Sequence, residues 1–101
     1  MSIAIPTLRQ AVASDAAAVA ALTRAAYAKW VPMIGREPKP MSADYDAAIA
    51  RHRIDLACLG GELAALIETI FEPEHLLIEN VAVAPSFQGQ GLGRFLMAHA
   101  E

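Results

Sequence analysis

The stretch from Leu76 to Ala100 restricts the possible folds more than any other. An apolar run, Leu76-Leu77-Ile78-Glu79-Asn80-Val81-Ala82-Val83, stops short of Pro85. A glycine-rich turn follows, Gln88-Gly89-Gln90-Gly91-Leu92-Gly93, and then a helix-like segment, Arg94-Phe95-Leu96-Met97-Ala98-His99-Ala100. Strand, glycine turn and helix start, in that order, build an anion site. Glycines let backbone N–H groups crowd around a phosphate, and the helix N-terminus adds partial positive charge.

The rest of the chain supplies the scaffold. Ile3 to Arg9 reads as a first strand, and Pro6 implies an edge or an irregular start. Ser14 and Asp15 offer an N-cap and a first-turn acid. Val19, Leu22, Ala26 and Trp30 recur at helical spacing as one apolar stripe, and Pro32 ends that helix near Lys29-Trp30-Val31. Ile34 to Pro40 is punctuated as a loop. Ser42 is placed to cap a second helix, with Asp44 and Asp46 in its first turn and Tyr45, Ala48 and Ile49 on its buried face. Asp55 to Leu59 and Glu62 to Phe71 flank Gly60-Gly61, a strong hairpin signal because primed turns need positive φ. Glu72-Pro73-Glu74 turns the chain again, Leu76 to Ala84 returns as a third antiparallel strand, and a last helix starts near Gly91. The order β-α-α-β-β-β-α, with an antiparallel meander, is mixed α/β of the α+β kind. Residues 1–101 read as one small domain or part of one, with no internal repeat.

Charge and composition exclude several classes of function. The net charge is −3 and the basic residues are scattered, so nucleic acid has no electrostatic footprint. No window approaches the roughly 18 apolar residues of a membrane span, and the N-terminus lacks a basic region followed by an apolar core. Cys58 is the only cysteine, which fits a reducing cytoplasm and reads as packing rather than nucleophile. His52, His75 and His99 lack metal-ligand spacing, so no metal site is expected. Hydrophobic residues make up 55% of 101. A domain this small buries only roughly 60–70% of its unfolded surface, which leaves an Ala-rich, tightly packed monomer or, the reading favoured here, apolar surface covered by a second chain.

Three phosphate-binding patterns compete for the glycine turn. A Walker A loop needs Lys and Ser/Thr after its last glycine, and Arg94-Phe95 follow Gly93. A dinucleotide fingerprint needs Gly-x-Gly-x-x-Gly, but Arg94 stands where the third glycine falls. The remaining pattern, Gln/Arg-x-x-Gly-x-Gly, is met by Gln88, Gly91 and Gly93. This spacing resembles the pyrophosphate loop of the GCN5-related N-acetyltransferase (GNAT) superfamily. Ile78 to Val83 followed by Pro85 is similar to the strand before that loop, and the early β-α-α-β-β order matches a GNAT N-terminal half.

The resemblance implies an acetyl-CoA-dependent N-acetyltransferase acting on an unidentified amine. It implies that acetyl-CoA lies along Val81, Ala82 and Val83, with the backbone of Val81 and Val83 bonding the pantetheine amides. It also implies that N–H groups of Gln88, Gly89, Gln90, Gly91, Leu92, Gly93 and Arg94 cradle the pyrophosphate. Gly91 and Gly93 leave that approach open, and the Arg94 side chain adds charge. Glu79 is the candidate base, a carboxylate in an apolar strand where desolvation raises a pKa, and a bulge in this strand re-aims side chains in the family. The other reading of Glu79 is a partly exposed or salt-bridged strand residue. Asn80, read as pointing to the opposite face, is the second catalytic candidate, and an N–H near Val81 is the oxyanion donor. Glu68 on the neighbouring strand faces either Glu79 or solvent. Arg36 and Tyr27 lie where acceptors are often met, or serve as loop and core.

GNAT domains continue past the loop helix with further strands and a helix, which often carries a thiolate-protonating Tyr. No general acid is therefore assigned, and a natural half-domain, a truncated product and a proteolytic fragment stay open. Leu76–Val83 is expected as an exposed edge, which predicts a homodimer covering the open side of the sheet. The alternative function is a non-catalytic CoA-binding or protein-interaction half-domain.

Overall fold

The computed structural model describes residues 6–36 and 39–100. Four strands form one antiparallel sheet in the order β1-β2-β3-β4: β1 Thr7–Gln10, β2 Arg53–Leu59, β3 Glu62–Phe71 and β4 Leu76–Val83. The helices are α1 Ala16–Tyr27, α2 Val31–Ile34, α3 Lys39–Ser42, α4 Tyr45–Arg51 and α5 Leu92–Ala100. The predicted meander is present, and Gly60 and Gly61 turn it at φ of 58° and 84°. Of the predicted first strand, Ile3 to Ile5 lie outside the described residues, and β1 reaches one residue further, to Gln10.

Strand alternation sends side chains to two cores, one on each face of the sheet. Ile54, Leu56, Leu66 and Ala82 pack against Val19, Leu22 and Ala26 of α1 and Tyr45 and Ala48 of α4. Ala57, Ala65 and Ile67 pack against Leu92 and Leu96 of α5. Leu96 is fully buried, and burial of such a side chain contributes about 1.5–3 kcal/mol. Asp55 faces the same side and meets His99 Nε2 at 3.3 Å and Arg53 Nε at 3.1 Å, which ties the last turn of α5 to β2.

The helical region departs from the sequence reading at its punctuation. Pro32 does not end the first helix. The chain tightens into a 3-10 turn over Ala28–Trp30 and re-enters α2 with Pro32 in its first turn, where the missing N–H costs nothing. Gly35, at φ 81°, closes α2. The tighter turn rotates Trp30 off the apolar stripe, leaving it 41% exposed with Lys29 Nζ 5.1 Å from its ring centre. The segment read as a loop ends inside α3, which starts at Lys39.

The cap of α4 is Asp44, whose side chain accepts from Ala47 N at 3.2 Å, in place of the expected Ser42. At the start of α1 the cap position falls on Asp15, not on the expected Ser14, and the Asp15 side chain makes no cap bond there. Its carboxylate instead accepts from Val12 N at 2.8 Å and takes both terminal nitrogens of Arg9 at 2.8 and 2.9 Å, stapling β1 to the helix start.

Candidate functional site

The site is organised by a bulge in β4. Glu68 pairs with Asn80 and Thr69 with Ile78, so Glu79 is the extra residue between them. A bulge breaks the two-residue alternation. Glu79 and Asn80 therefore both line one cavity of about 210 Å³, and the expectation that Asn80 points to the opposite face is corrected. The two are nonetheless unlike: Glu79 is exposed and Asn80 only 3% exposed. The desolvation on which Glu79's candidacy leaned is not supplied by the chain, because the bulge lifts it out of the strand's apolar surroundings.

Asn80 knits the helices to the sheet. The Tyr27 hydroxyl lies 2.9 Å from Asn80 Oδ1 and 3.3 Å from the Val81 carbonyl, and its single proton serves one acceptor at a time. Asn80 Nδ2 donates to Tyr45 Oη at 3.3 Å and to Thr23 Oγ1 at 3.5 Å, while the Tyr45 hydroxyl donates to the Pro40 carbonyl at 2.6 Å. Burial pushes both phenols above their ordinary range, so each stays protonated and donating at neutral pH.

Beyond Asn80, β4 presents backbone groups to an edge unpaired among the described residues. Ala84 N donates to Ala64 O at 2.8 Å, which fixes the phase of the ladder. Val81 and Val83 thus sit at non-hydrogen-bonded positions, with their N–H and C=O groups aimed outward. Side chains already approach the two carbonyls: Tyr27 that of Val81, and Gln88 Nε2 that of Val83 at 3.0 Å. The remaining free groups are donors. Val81, Ala82, Val83 and Gln88 share a second cavity of about 230 Å³ with Tyr27, bonded to Asn80 of the first.

The glycine turn continues from this edge. Gly89 and Gly91 adopt φ of 82° and 81°, the left-handed region that strains other residues, and the space beside each is open. The first bond of α5 runs from Phe95 N to Gly91 O at 2.9 Å, so the N–H groups of Leu92, Gly93 and Arg94 precede it and have no partner within the helix. Leu92 is buried and anchors the turn, whereas Gln90 and Arg94 are exposed. An outward donor pattern that leads to an uncapped helix start suits a ligand of carbonyl and phosphate acceptors. Coenzyme A has that chemistry, and the residues present fit it.

A family model for the acetyltransferase (GNAT) family matches residues 19–101. This chain belongs to the GNAT family. No curated protein matches it. Solved GNAT-type structures share its fold. A GCN5-related N-acetyltransferase from Rhodopseudomonas palustris superposes with a TM-score of 0.79 at 22% identity, over 98% of this chain and 65% of the other. The ribosomal-protein-S18-alanine N-acetyltransferase of Escherichia coli gives 0.73 at 23% identity, over 94% of this chain and 56% of that one. The PaiA N-acetyltransferase of Thermoplasma acidophilum, solved with coenzyme A, gives 0.73 at 15% identity, over 95% and 69%. The chain thus spans about half to two-thirds of the length of these GNAT relatives.

Two features of the site lie outside the sequence reading. Lys29, on the turn after α1, donates to Gln88 Oε1 at 2.9 Å and brings a cation to the glycine turn. His52 Nδ1 meets Glu68 Oε2 at 2.6 Å in the cavity that Glu79 and Asn80 line. Neither pair has a sequence signal, because each joins residues of different elements. Glu68 therefore faces the Glu79 cavity rather than solvent, and Tyr27 acts in the site through Asn80. Arg36 is exposed and lines none of these cavities. Among the described residues no cluster of His, Cys, Asp or Glu is arranged to hold a metal ion, and no helix is long and apolar enough to cross a membrane.

Proposed function

We propose that this chain binds acetyl-CoA and carries the chemistry of an N-acetyltransferase that acts on an amine. The observation that carries this reading is the β4 edge, with outward N–H groups on Val81 and Val83 running into the uncapped start of α5. Acetyl-CoA supplies the acetyl group as an activated thioester. Val83 N–H and Val81 N–H take carbonyl oxygens of the pantetheine arm and the thioester, and the second polarises the carbon under attack. The N–H groups of Gly89 to Arg94 take the pyrophosphate, with positive charge from Arg94 and Lys29 beside them, whereas the Gln88 N–H, expected in that cradle, is directed to the Pro85 carbonyl at 3.4 Å. Glu79, exposed on the bulge, meets the acceptor as its ammonium in the neighbouring cavity.

The same edge bears on assembly. A homodimer that pairs β4 with β4 and a bound cofactor compete for Val81 and Val83, so we place the dimer in the unliganded protein only. The proposal locates the protein in the cytoplasm, where a lone thiol such as Cys58 stays reduced.

Calorimetric titration with acetyl-CoA tests the first step, and release of free thiol in the presence of a panel of primary amines tests the second. Glu79→Gln is expected to raise KM for the amine severalfold. Absence of heat at millimolar acetyl-CoA refutes the proposal. Binding without thiol release selects a non-catalytic CoA-binding or protein-interaction module instead.

A further inference from the structure

The cavity beside the bulge contains a buried carboxylate that the reading above does not use. Glu68, on β3, has a side chain only 5% exposed, and its Oε2 is 2.6 Å from Nδ1 of His52. His52 follows α4 directly. Its own N–H closes that helix on Ala48 O at 2.7 Å, which fixes where the imidazole starts. The ring is a quarter exposed and lines the cavity together with Glu79 and Asn80. A carboxylate only accepts hydrogen bonds, so Nδ1 bears the hydrogen, and in the neutral ring Nε2 keeps its lone pair. With Nδ1 taken, Nε2 is the ring nitrogen left to meet a ligand, and it has no hydrogen-bond partner among the described residues. Buried carboxylate, oriented imidazole and free Nε2 are the elements of a proton acceptor.

We propose that His52 is the proton acceptor for the amine substrate, that Glu68 is its positioning residue, and that Glu79 binds the amine as a cation. This rests on the acetyltransferase reading and divides its labour. The ammonium gives one proton to His52 Nε2, and the imidazolium that forms is stabilised by the Glu68 carboxylate. The freed nitrogen lone pair attacks the thioester carbonyl carbon, a C–N bond forms and the C–S bond breaks. The second proton lost by nitrogen ends on the departing sulfur as a thiol, and His52 returns its proton to solvent. The charged and titratable groups that face the cavity besides this pair are Asp44, Tyr45 and Arg51 around α4 and Glu79 on β4. Asp44 is occupied with Ala47 N, and the Tyr45 hydroxyl with the Pro40 carbonyl. Arg51 is a donor-only cation and cannot accept a proton.

The test begins without any substrate. Nitrogen-15 NMR of the unmodified protein is expected to show the neutral His52 ring protonated at Nδ1 and bare at Nε2. Glu68→Leu moves the hydrogen to Nε2, and Glu68→Gln, which keeps an acceptor oxygen, restores it. The reverse tautomer in the unmodified protein, or a ring doubly protonated through neutral pH, overturns the proposal. In the thiol-release assay, His52→Ala is expected to lower kcat by about 10²–10⁴-fold with KM for the amine little changed, and added imidazole to restore part of it. Turnover of His52→Ala or His52→Gln within threefold of the unmodified protein overturns the dyad while leaving the acetyltransferase reading intact. Absence of thiol release from the unmodified protein refutes both together.

Discussion

Gly93→Ala separates what the fold needs from what a ligand needs. Gly93 lies in the first turn of α5 and is not among the residues with positive φ. A Cβ added there meets only Val83 Cγ2, at 4.0 Å, an ordinary contact. The backbone therefore has no use for glycine at this position. In a helix interior, alanine is favoured over glycine by about 0.5–1 kcal/mol, and in the first turn about half of that applies. For a domain of this size about 0.25–0.5 kcal/mol raises Tm by about 1–4 °C. The ligand argument has the opposite sign. The new methyl group stands beside the N–H groups of Leu92, Gly93 and Arg94, where the pyrophosphate is proposed to lie. Loss of one charge-assisted hydrogen bond costs about 1.5–3 kcal/mol, which is about 10- to 150-fold in Kd. Urea and thermal unfolding measure the first effect, and calorimetry with acetyl-CoA the second. Higher stability with weaker binding is the expected pair. Lower stability shows that the glycine serves packing, and unchanged Kd removes the phosphate from the start of α5; either result refutes the reasoning.

Two further predictions concern the scaffold. Tyr27→Phe leaves Asn80 Oδ1 buried without its 2.9 Å donor and is expected to cost about 1–2 kcal/mol, with Asn80→Ala costing about 2 kcal/mol. In a urea-unfolding double-mutant cycle the pair is expected to couple by about 1 kcal/mol, and additive losses refute the hub. Asp15 is held down from 3.8 to about 2, first by the Arg9 side chain and then by Val12 N–H. A depressed carboxylate stabilises the fold above its unfolded value and ceases to do so as pH falls through its folded value. The difference in unfolding midpoint between the unmodified protein and Asp15→Asn should therefore hold from neutral pH to about pH 4 and close toward pH 2. Because the pair is solvent-accessible, the difference should also shrink with added salt.

Local chemistry determined the frame of this protein. The apolar runs, the Gly60-Gly61 turn and the stripe Val19, Leu22 and Ala26 specify strands, hairpin and helix through local patterns, and the stripe buries the face it marks. The glycine spacing from Gln88 to Gly93 identified the family for the same reason: backbone freedom is written residue by residue. Punctuation was less reliable. Pro32 permits a helix start as readily as it forbids a helix interior, and only the tightened turn at Ala28–Trp30 chose between them. Tertiary structure alone decided the inner chemistry of the site. A register shift between two strands put Glu79 and Asn80 on one cavity, and no single-strand pattern encodes a register. The Tyr27–Asn80, Lys29–Gln88 and His52–Glu68 contacts join different elements, so they exist only once helices pack on the sheet. The sequence thus specified the backbone on which a ligand is proposed to lie, and packing selected which side chains stand around it.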